Sequence, residues 1–373
     1  MTPAFRLLTA CCGWPDDERR VDAVRNAAAE IDDWDEVVRL ADRHRVEPLV
    51  VQGLRAATVE VPASLAMAAE RFHAEGLRDL AESLRIAAAL DDSGIEHCFL
   101  KGAPLGTVAY GTSTLKRSWD VDLLVAPGDA VAAAADLTAL GYRPVMPPRA
   151  LDAEEFARWS VVSKEAEFHS PRGATVELHW RLSDHPHLLR KVGLGDGSRE
   201  VALLGHRSVR TLADAPNLAY LAVHGTAHAW FRLKWIADFN ALVNSFDESE
   251  RKQLLTAARH YGVGRALDTA VALAEHLFCD RPMPMTQAGA MAGLCLRALD
   301  AETERQVAVL ASRVRWQIAA GWAFRREELR LRLRGTLDRI EHPLPARWRF
   351  LYPWLRIPFW IWRHRPKFWV SQG

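Results

Sequence analysis

The chain has 373 residues, of which 49% are hydrophobic and 25% are charged, and its formal net charge is +1. This composition excludes an intrinsically disordered chain, because disordered chains combine low hydrophobicity with high net charge. The five cysteines form no C-x-x-C pair, which is unlike a zinc ribbon or a disulfide framework and predicts reduced thiols in a cytoplasmic protein. The longest apolar runs are broken by proline or arginine, so no transmembrane helix is expected.

The first 92 residues are predicted to form helices. Apolar residues recur at helical spacing from Trp34 to Ala41 and again from Val46 to Leu54. The segment from Ser64 to Leu90 is rich in Ala, Leu, Arg and Glu and contains no proline. It therefore predicts one long helix, which Gly94 ends.

A small α/β unit is predicted over residues 93–185, where the periodicity changes. The predicted elements are strands at 97–100, 119–125, 161–169 and 174–180 and helices at 104–110 and 130–140. We expect Asp129 to cap the second of these helices.

The remainder of the chain divides by composition at residue 313. Residues 186–312 are predicted to form a helical domain, whose helical periodicity begins near Asp214. Residues 313–373 contain 14 Lys and Arg against 4 Asp and Glu, and 7 of the 14 tryptophans. Such a tail can bind a membrane surface, clamp RNA, or pack its aromatic rings onto the protein while its arginines face solvent. The sequence leaves these three readings open.

Two aspartates lie on one face of the predicted strand 119–125. Side chains alternate along a strand, so Asp120 and Asp122 project from the same side while the intervening residues point into a core. Adjacent carboxylates repel each other unless a cation lies between them, and such oxygen ligands suit Mg²⁺, with Mn²⁺ as an alternative. Glu177 would add a third carboxylate if its strand were a neighbour, or would act as the base for the acceptor hydroxyl. Metal ions held there could clamp the attacking and leaving oxygens of a phosphoryl-type displacement.

The loop before these aspartates supplies groups suited to a phosphate. Gly102 permits close approach of the backbone, and Pro104 near the start of the next helix is consistent with N–H groups directed at an anion. Lys101 and Arg117 carry the positive charge that a triphosphate needs. We therefore expect Lys101, Gly102 and Arg117 to bind nucleotide.

A pair of histidines, His224 and His228, lies four residues apart on a predicted helix. This spacing can place both on one zinc-binding face, but position 225 is glycine and the H-E-x-x-H pattern is absent. Histidines within a core are the more common outcome. Alternatively, the helix lines a cleft and His228 contacts the nucleotide or the acceptor. Lys234 and Asp238 have the spacing of a helical ion pair, which predicts a structural role.

Three segments carry a resemblance to a known family: Leu100 to Gly102, Arg117 to Val125 and Val176 to Trp180. They resemble the uncharacterised nucleotidyltransferase family of the polymerase β-like superfamily, and the likeness is firmest over residues 97–240. It implies a small mixed sheet with flanking helices, and metal bound by D-x-D and a later carboxylate. Serine or glycine usually follows the glycine at position 102, where this chain has Ala103, so we expect Lys101 to replace that serine.

The sequence thus predicts an α+β fold with a small mixed-sheet nucleotidyltransferase core between N-terminal and C-terminal helical regions. The predicted reaction moves a nucleoside monophosphate from an NTP, with ATP favoured, to an unidentified small molecule, peptide or protein, and it releases pyrophosphate. The predicted catalytic metal ligands are Asp120, Asp122 and Glu177, and the predicted nucleotide-binding residues are Lys101, Gly102, Arg117 and His228.

Two alternatives from other classes stay open. One is a degenerate member of the fold that binds nucleotide or a partner without turnover. The other is a kinase-like phosphotransferase, against which the absence of a Walker A loop and of the H-R-D and D-F-G patterns argues.

Overall fold

Helices open the chain in this computed structural model, which describes residues 1–116, 120–203, 207–333, 342, 344–352, 354–355 and 358–359. The N-terminal helices are α1 (Pro3–Cys12), α2 (Glu18–Ala29), α3 (Trp34–His44), α4 (Glu47–Ala56) and α5 (Ala63–Asp92). The 30 residues of α5 form one uninterrupted helix, as the proline-free stretch predicts. Gly94 follows with a positive φ of 69°, a conformation that glycine adopts without a steric penalty.

A mixed sheet follows, with β2 at its centre. Its strands are β1 (His97–Phe99), β2 (Asp120–Val125), β3 (Arg143–Met146), β4 (Glu165–His169), β5 (Thr175–His179), β6 (Ser198–Ala202) and β7 (Ser208–Leu212). Their order is β3-β4-β5-β2-β1-β7-β6. β2 runs parallel to β5 and β1 parallel to β7, whereas the other neighbours are antiparallel. The helices inserted between these strands are α6 (Gly102–Tyr110), α7 (Ala130–Ala139) and α8 (Ala153–Ser160).

The sheet extends past residue 185, where the predicted α/β unit ends. β6 and β7 follow that boundary, and β7 joins the sheet by pairing with β1. The sequence predicted none of β3, β6 and β7. β3 and β6 lie at sheet edges, where exposed side chains replace the apolar run of a buried strand. The predicted strand 161–169 begins only at Glu165, because residues 161–164 form a turn after α8. Asp129 precedes α7 as expected, but its side chain makes no capping hydrogen bond.

The two faces of the sheet contact different cores. Val121, Leu123 and Val125 of β2 pack with residues of α5 and α7 in the smaller core. Leu124, on the opposite face, belongs to the larger core that the N-terminal and C-terminal helices share. The prediction that the residues between and after the two aspartates point into a core is therefore confirmed. Cys98 is also buried.

The C-terminal part of the described chain is helical. Its helices are α9 (Asp214–Ala227), α10 (Leu233–Asn244), α11 (Glu248–Arg259), α12 (Gly264–Phe278), α13 (Gln287–Asp300), α14 (Glu304–Arg315) and α15 (Trp322–Leu333). None of the described helices combines the length and the apolar character that crossing a membrane requires. Most of the tail after residue 333 lies outside the described residues, so its contact with a membrane or RNA stays a prediction.

The buried histidine of α3 makes stability depend on pH. His44 is fully buried, and its Nδ1 accepts a hydrogen bond from the backbone N–H of Leu233 at 3.3 Å. Burial, with Arg43 and Arg232, lowers the pKa of His44 from 6.5 to about 3. The folded protein thus binds this proton more weakly than the unfolded chain. The stabilisation is complete above about pH 6.5 and is lost as the pH falls towards 3.

When the pH falls from 7 to 5, the unfolded chain takes up a proton at His44 that the folded protein does not bind. We expect this protonation alone to lower the free energy of unfolding by about 2 kcal/mol. Urea denaturation of the wild type and of His44→Asn at both pH values measures this contribution. The asparagine side chain can accept the same backbone hydrogen bond but does not titrate. An equal loss of stability in both proteins would contradict the assignment.

Candidate active site

The centre of the site is the pairing of β2 with β5. The parallel register sets Asp122 directly opposite Glu177. Both side chains lie on the sheet face that is turned away from the smaller core. β5 is therefore the neighbour of β2 that the three-carboxylate prediction required, and Asp122 itself is buried with 3% exposure.

His179 joins the two carboxylates two residues further along β5. Its Nε2 lies 3.3 Å from Asp122 Oδ1 and 3.3 Å from Glu177 Oε2, and its Nδ1 lies 3.1 Å from Glu165 Oε2 on β4. Burial lowers the pKa of His179, but the bonds to these carboxylates outweigh burial and raise it. β5 lies between β4 and β2, so His179 is on an interior strand of the sheet.

Lys101 supplies a second positive charge to the same carboxylate. It follows β1, and its Nζ lies 2.9 Å from Asp122 Oδ1. Burial opposes the charged form of Lys101, yet Asp122, with Asp120 and Glu177, raises its pKa well above the usual range. In turn Lys101 and His179 overcome the effect of burial on Asp122 and hold its pKa well below the usual range. Lys101 therefore contacts a carboxylate here, where the sequence predicted a phosphate.

The donor set fits a divalent cation. Asp122, Glu177 and His179 each offer one ligand atom, and these atoms all lie within 4.8 Å of one another. Asp122 Oδ2 is buried and has no hydrogen-bond partner among the described residues, which is unusual for a carboxylate oxygen. A cation would satisfy this oxygen. The sequence predicted Asp120, Asp122 and Glu177 as the three ligands. In the structure the third member of the cluster is His179 and not Asp120.

Asp120 lies beside these ligands and close to an acid that the sequence did not reveal. It is on the same face as Asp122 and lines a small cavity with Gly102 and Asp79 of α5. Burial and the charge of Asp120 raise the pKa of Asp79 to about 6. Gly102 opens α6 with a positive φ of 66°, which glycine allows. The first turn of α6 thus borders the carboxylates, as the phosphate-binding prediction required.

A cavity of about 650 Å³ extends from the carboxylates to the C-terminal helices. This volume is within the range of small-molecule and cofactor sites. Its cationic lining residues are Arg45, Lys101, Lys116, Lys164, Lys234, Arg315 and Arg332. Burial, followed by the charge of Lys116, lowers the pKa of Lys234 to about 7. The sequence singled out few of these residues, because they come from separate segments of the chain and meet only in the folded protein.

A buried ion pair supports one wall of this cavity. Asp238 of α10 forms an ion pair with Lys116 and accepts a hydrogen bond from the hydroxyl of Tyr110 at 3.0 Å. The Lys116 and Asp238 side chains are only 4% and 5% exposed. Asp238 therefore has a structural role, as predicted, and Lys116 is a partner of its carboxylate.

The turn between α9 and α10 places His228 in the cavity. His228 follows the last residue of α9, and the next two residues, Ala229 and Trp230, both take a positive φ of 51°. The Trp230 ring lies against Gly225, where an added Cβ would be 2.4 Å from the ring. Only glycine permits this contact. His228 faces the cavity but is surrounded by protein. This burial, together with the charge of Lys101, lowers the pKa of His228 to about 4.

The structure brings together most of the predicted site residues. Asp122 and Glu177 belong to the carboxylate cluster, and Lys101 contacts it through Asp122. Asp120 and Gly102 line the adjoining small cavity. His228 lines the large cavity with Asp120 and Glu177, and the zinc alternative finds no cluster among the described residues that contains it. Arg117 lies outside the described residues. Glu165, whose carboxylate contacts His179, was missed because this contact depends on the pairing of β4 with β5.

Fold and site together define an α+β protein of the nucleotidyltransferase class, with helices around a mixed sheet and a carboxylate cluster on its central strands. Residues 30–279 match the family model described as "Uncharacterised nucleotidyltransferase". The chain belongs to this family, as the sequence motifs predicted. A search of curated proteins gives no match to the chain. Family membership supports nucleotidyl transfer as the general class of activity.

Proposed function

We propose that the protein is a metal-dependent nucleotidyltransferase that moves a nucleoside monophosphate from an NTP to an acceptor and releases pyrophosphate. The observation that carries the proposal is the Asp122, Glu177 and His179 cluster, which borders a cavity large enough for a nucleotide. The family match over most of the chain supports the same class of reaction.

Asp122 and Glu177, together with Asp120 beside them, would hold Mg²⁺ or Mn²⁺, and His179 would either ligate the ion or orient the two carboxylates. A divalent cation bound there polarises phosphate oxygens and neutralises charge that develops on them. The imidazole nitrogen makes Mn²⁺ a reasonable alternative to Mg²⁺, which prefers an all-oxygen set.

The cationic residues around the carboxylates would position the triphosphate. Lys101 is close enough to exchange its bond to Asp122 for one to a phosphate once a metal neutralises that carboxylate. Gly102 allows the backbone at the start of α6 to approach the phosphates. Arg117 and His228 complete the proposed nucleotide contacts. Burial raises the pKa of Glu177 above its usual value, and Glu177 would alternatively accept the proton of an attacking hydroxyl.

Transfer from labelled nucleotides tests this proposal directly. We expect label from α-³²P-ATP, and to smaller extents from CTP, GTP or UTP, to move onto an acceptor in a cell lysate when the protein and Mg²⁺ are present. Chelation by EDTA should abolish the transfer, and Mn²⁺ should restore it. A γ-labelled ATP control separates the alternatives, because transfer of γ label by the purified protein would indicate a phosphotransferase instead.

The acceptor is proposed to be a small molecule, a peptide or a protein. The labelled acceptor from the same assay is purified and digested with nuclease or protease. The treatment that breaks it down identifies the class of molecule that carries the label. Nucleotide binding without any transfer across these acceptors would favour the non-catalytic alternative.

A further inference from the structure

Four aromatic rings form a wall of the large cavity, and we call them the ring wall. They are His224, His228, Phe231 and Trp235, from α9, α10 and the turn between them. The centroids of the two imidazoles are 4.9 Å apart, and those of Phe231 and Trp235 are also 4.9 Å apart. Trp235 lies 5.3 Å from the His224 ring and 5.5 Å from the His228 ring. The four rings are therefore one contiguous surface.

The two histidines of this wall are neutral at physiological pH. Burial, with the nearby charge of Lys101, lowers the pKa of His224 well below its usual value and that of His228 to about 4. A neutral imidazole offers an uncharged ring face together with one donor and one acceptor nitrogen. His224 Nε2 is buried and has no hydrogen-bond partner among the described residues. The wall therefore combines stacking surfaces with an unused polar atom.

The same cavity separates polar and aromatic regions. Asp120 and Glu177 line it at the sheet, where Lys101 supplies positive charge, and the ring wall lines it at α9 and α10. A ligand with a polyanionic part and a flat heterocyclic part matches this division. Aromatic side chains bind bases through their π faces, and a ring nitrogen or an exocyclic amine can pair with an imidazole nitrogen.

We propose that the ring wall is the nucleobase subsite of the nucleotide, with Trp235 and His228 as the stacking surfaces and His224 Nε2 as a polar contact to the base. This inference rests on the proposed nucleotidyl transfer, and it names the part of the cavity that distinguishes a nucleotide from bare triphosphate.

Comparison of two ligands isolates the subsite. Mg·ATP carries a base, whereas Mg·tripolyphosphate presents the phosphates without a base or ribose. We expect Trp235→Leu to weaken Mg·ATP binding by about tenfold in isothermal titration calorimetry. Binding of Mg·tripolyphosphate should stay within about twofold of the wild-type value, because the ring wall does not contact the phosphates. His228→Ala, a smaller change at a position open to the cavity, should weaken Mg·ATP selectively as well.

The control variant is Trp322→Leu, which removes a 78% exposed tryptophan that does not line the cavity, and it should bind both ligands normally. Circular dichroism of each variant checks the fold. Unchanged Mg·ATP affinity in both ring-wall variants would overturn the inference, as would an equal loss for the two ligands. A wild-type protein that binds neither ligand would overturn the proposed function, and the subsite with it.

Discussion

Asp122→Asn should lower nucleotidyl transfer by about 100- to 1,000-fold, because it removes one anionic ligand from the centre of the proposed metal site. Asparagine keeps the size of the side chain but cannot neutralise a divalent cation. The remaining Glu177 and His179 would hold a cation weakly and out of position. Initial rates of α-label transfer at saturating NTP and Mg²⁺ measure the loss.

Two further variants make this test specific. Glu200→Gln changes an exposed acid on the edge strand β6 and should leave transfer unchanged. Glu177→Gln changes a ligand whose side chain is 29% exposed, so this variant should fold. It remains informative even if Asp122→Asn disturbs the buried ion pair with Lys101. Transfer at the wild-type rate in both Asp122→Asn and Glu177→Gln, with thermal denaturation confirming folded proteins, would remove the basis for the proposed roles.

The carboxylates on β2 and β5 could be predicted from the sequence because strand geometry fixes them locally. Alternation puts Asp120 and Asp122 on one face and their apolar neighbours on the other, and a similar alternation marks Glu177 and His179. What alternation could not decide was the register. Only the fold shows that Asp122, and not Asp120, lies opposite Glu177, and this register gives His179 a position within the cluster.

Residues that reach the site from distant segments were beyond sequence reasoning. Asp79 is one acid in a long helix with many charged residues, and only the packing of α5 against β2 brings it near Asp120. Glu165 gains its importance from a cross-strand pairing with His179. The same limit applies to the sheet, since β7 joins it through a parallel pairing with β1 across more than a hundred residues. The long helix α5, by contrast, was predictable because composition and the absence of proline act locally.

Neighbouring side chains balance part of the negative charge of the carboxylate cluster. Lys101 and His179 both contact Asp122 Oδ1, so the side chains themselves provide the positive charge that a buried carboxylate requires. The partnerless Asp122 Oδ2 shows that the balance is incomplete. A cation that bound there would weaken the hold of Asp122 on Lys101, and the freed ammonium would then be available to the phosphates. Metal and nucleotide should consequently bind cooperatively.

The second large effect is expected on stability, at the buried pair of Asp238 and Lys116. Asp238→Ala leaves the Lys116 ammonium buried without this carboxylate and removes the acceptor of the Tyr110 hydroxyl. Breaking a buried ion pair from one side destabilises proteins by about 3–5 kcal/mol, because the remaining charge loses its compensation. We therefore expect the free energy of unfolding, measured by urea denaturation at pH 7, to fall by about that amount.

A matched exposed pair separates the effect of burial from that of charge loss. Asp268 pairs with Arg259 on the surface, where the two side chains are 43% and 46% exposed. Asp268→Ala should lower stability by less than about 1 kcal/mol, since solvent screens such pairs. Adding Lys116→Met to Asp238→Ala should recover part of the loss, because methionine places no charge in the buried position. If the double variant is no more stable than Asp238→Ala, the loss arises from the missing packing and the Tyr110 hydrogen bond, and the uncompensated charge of Lys116 is not its cause.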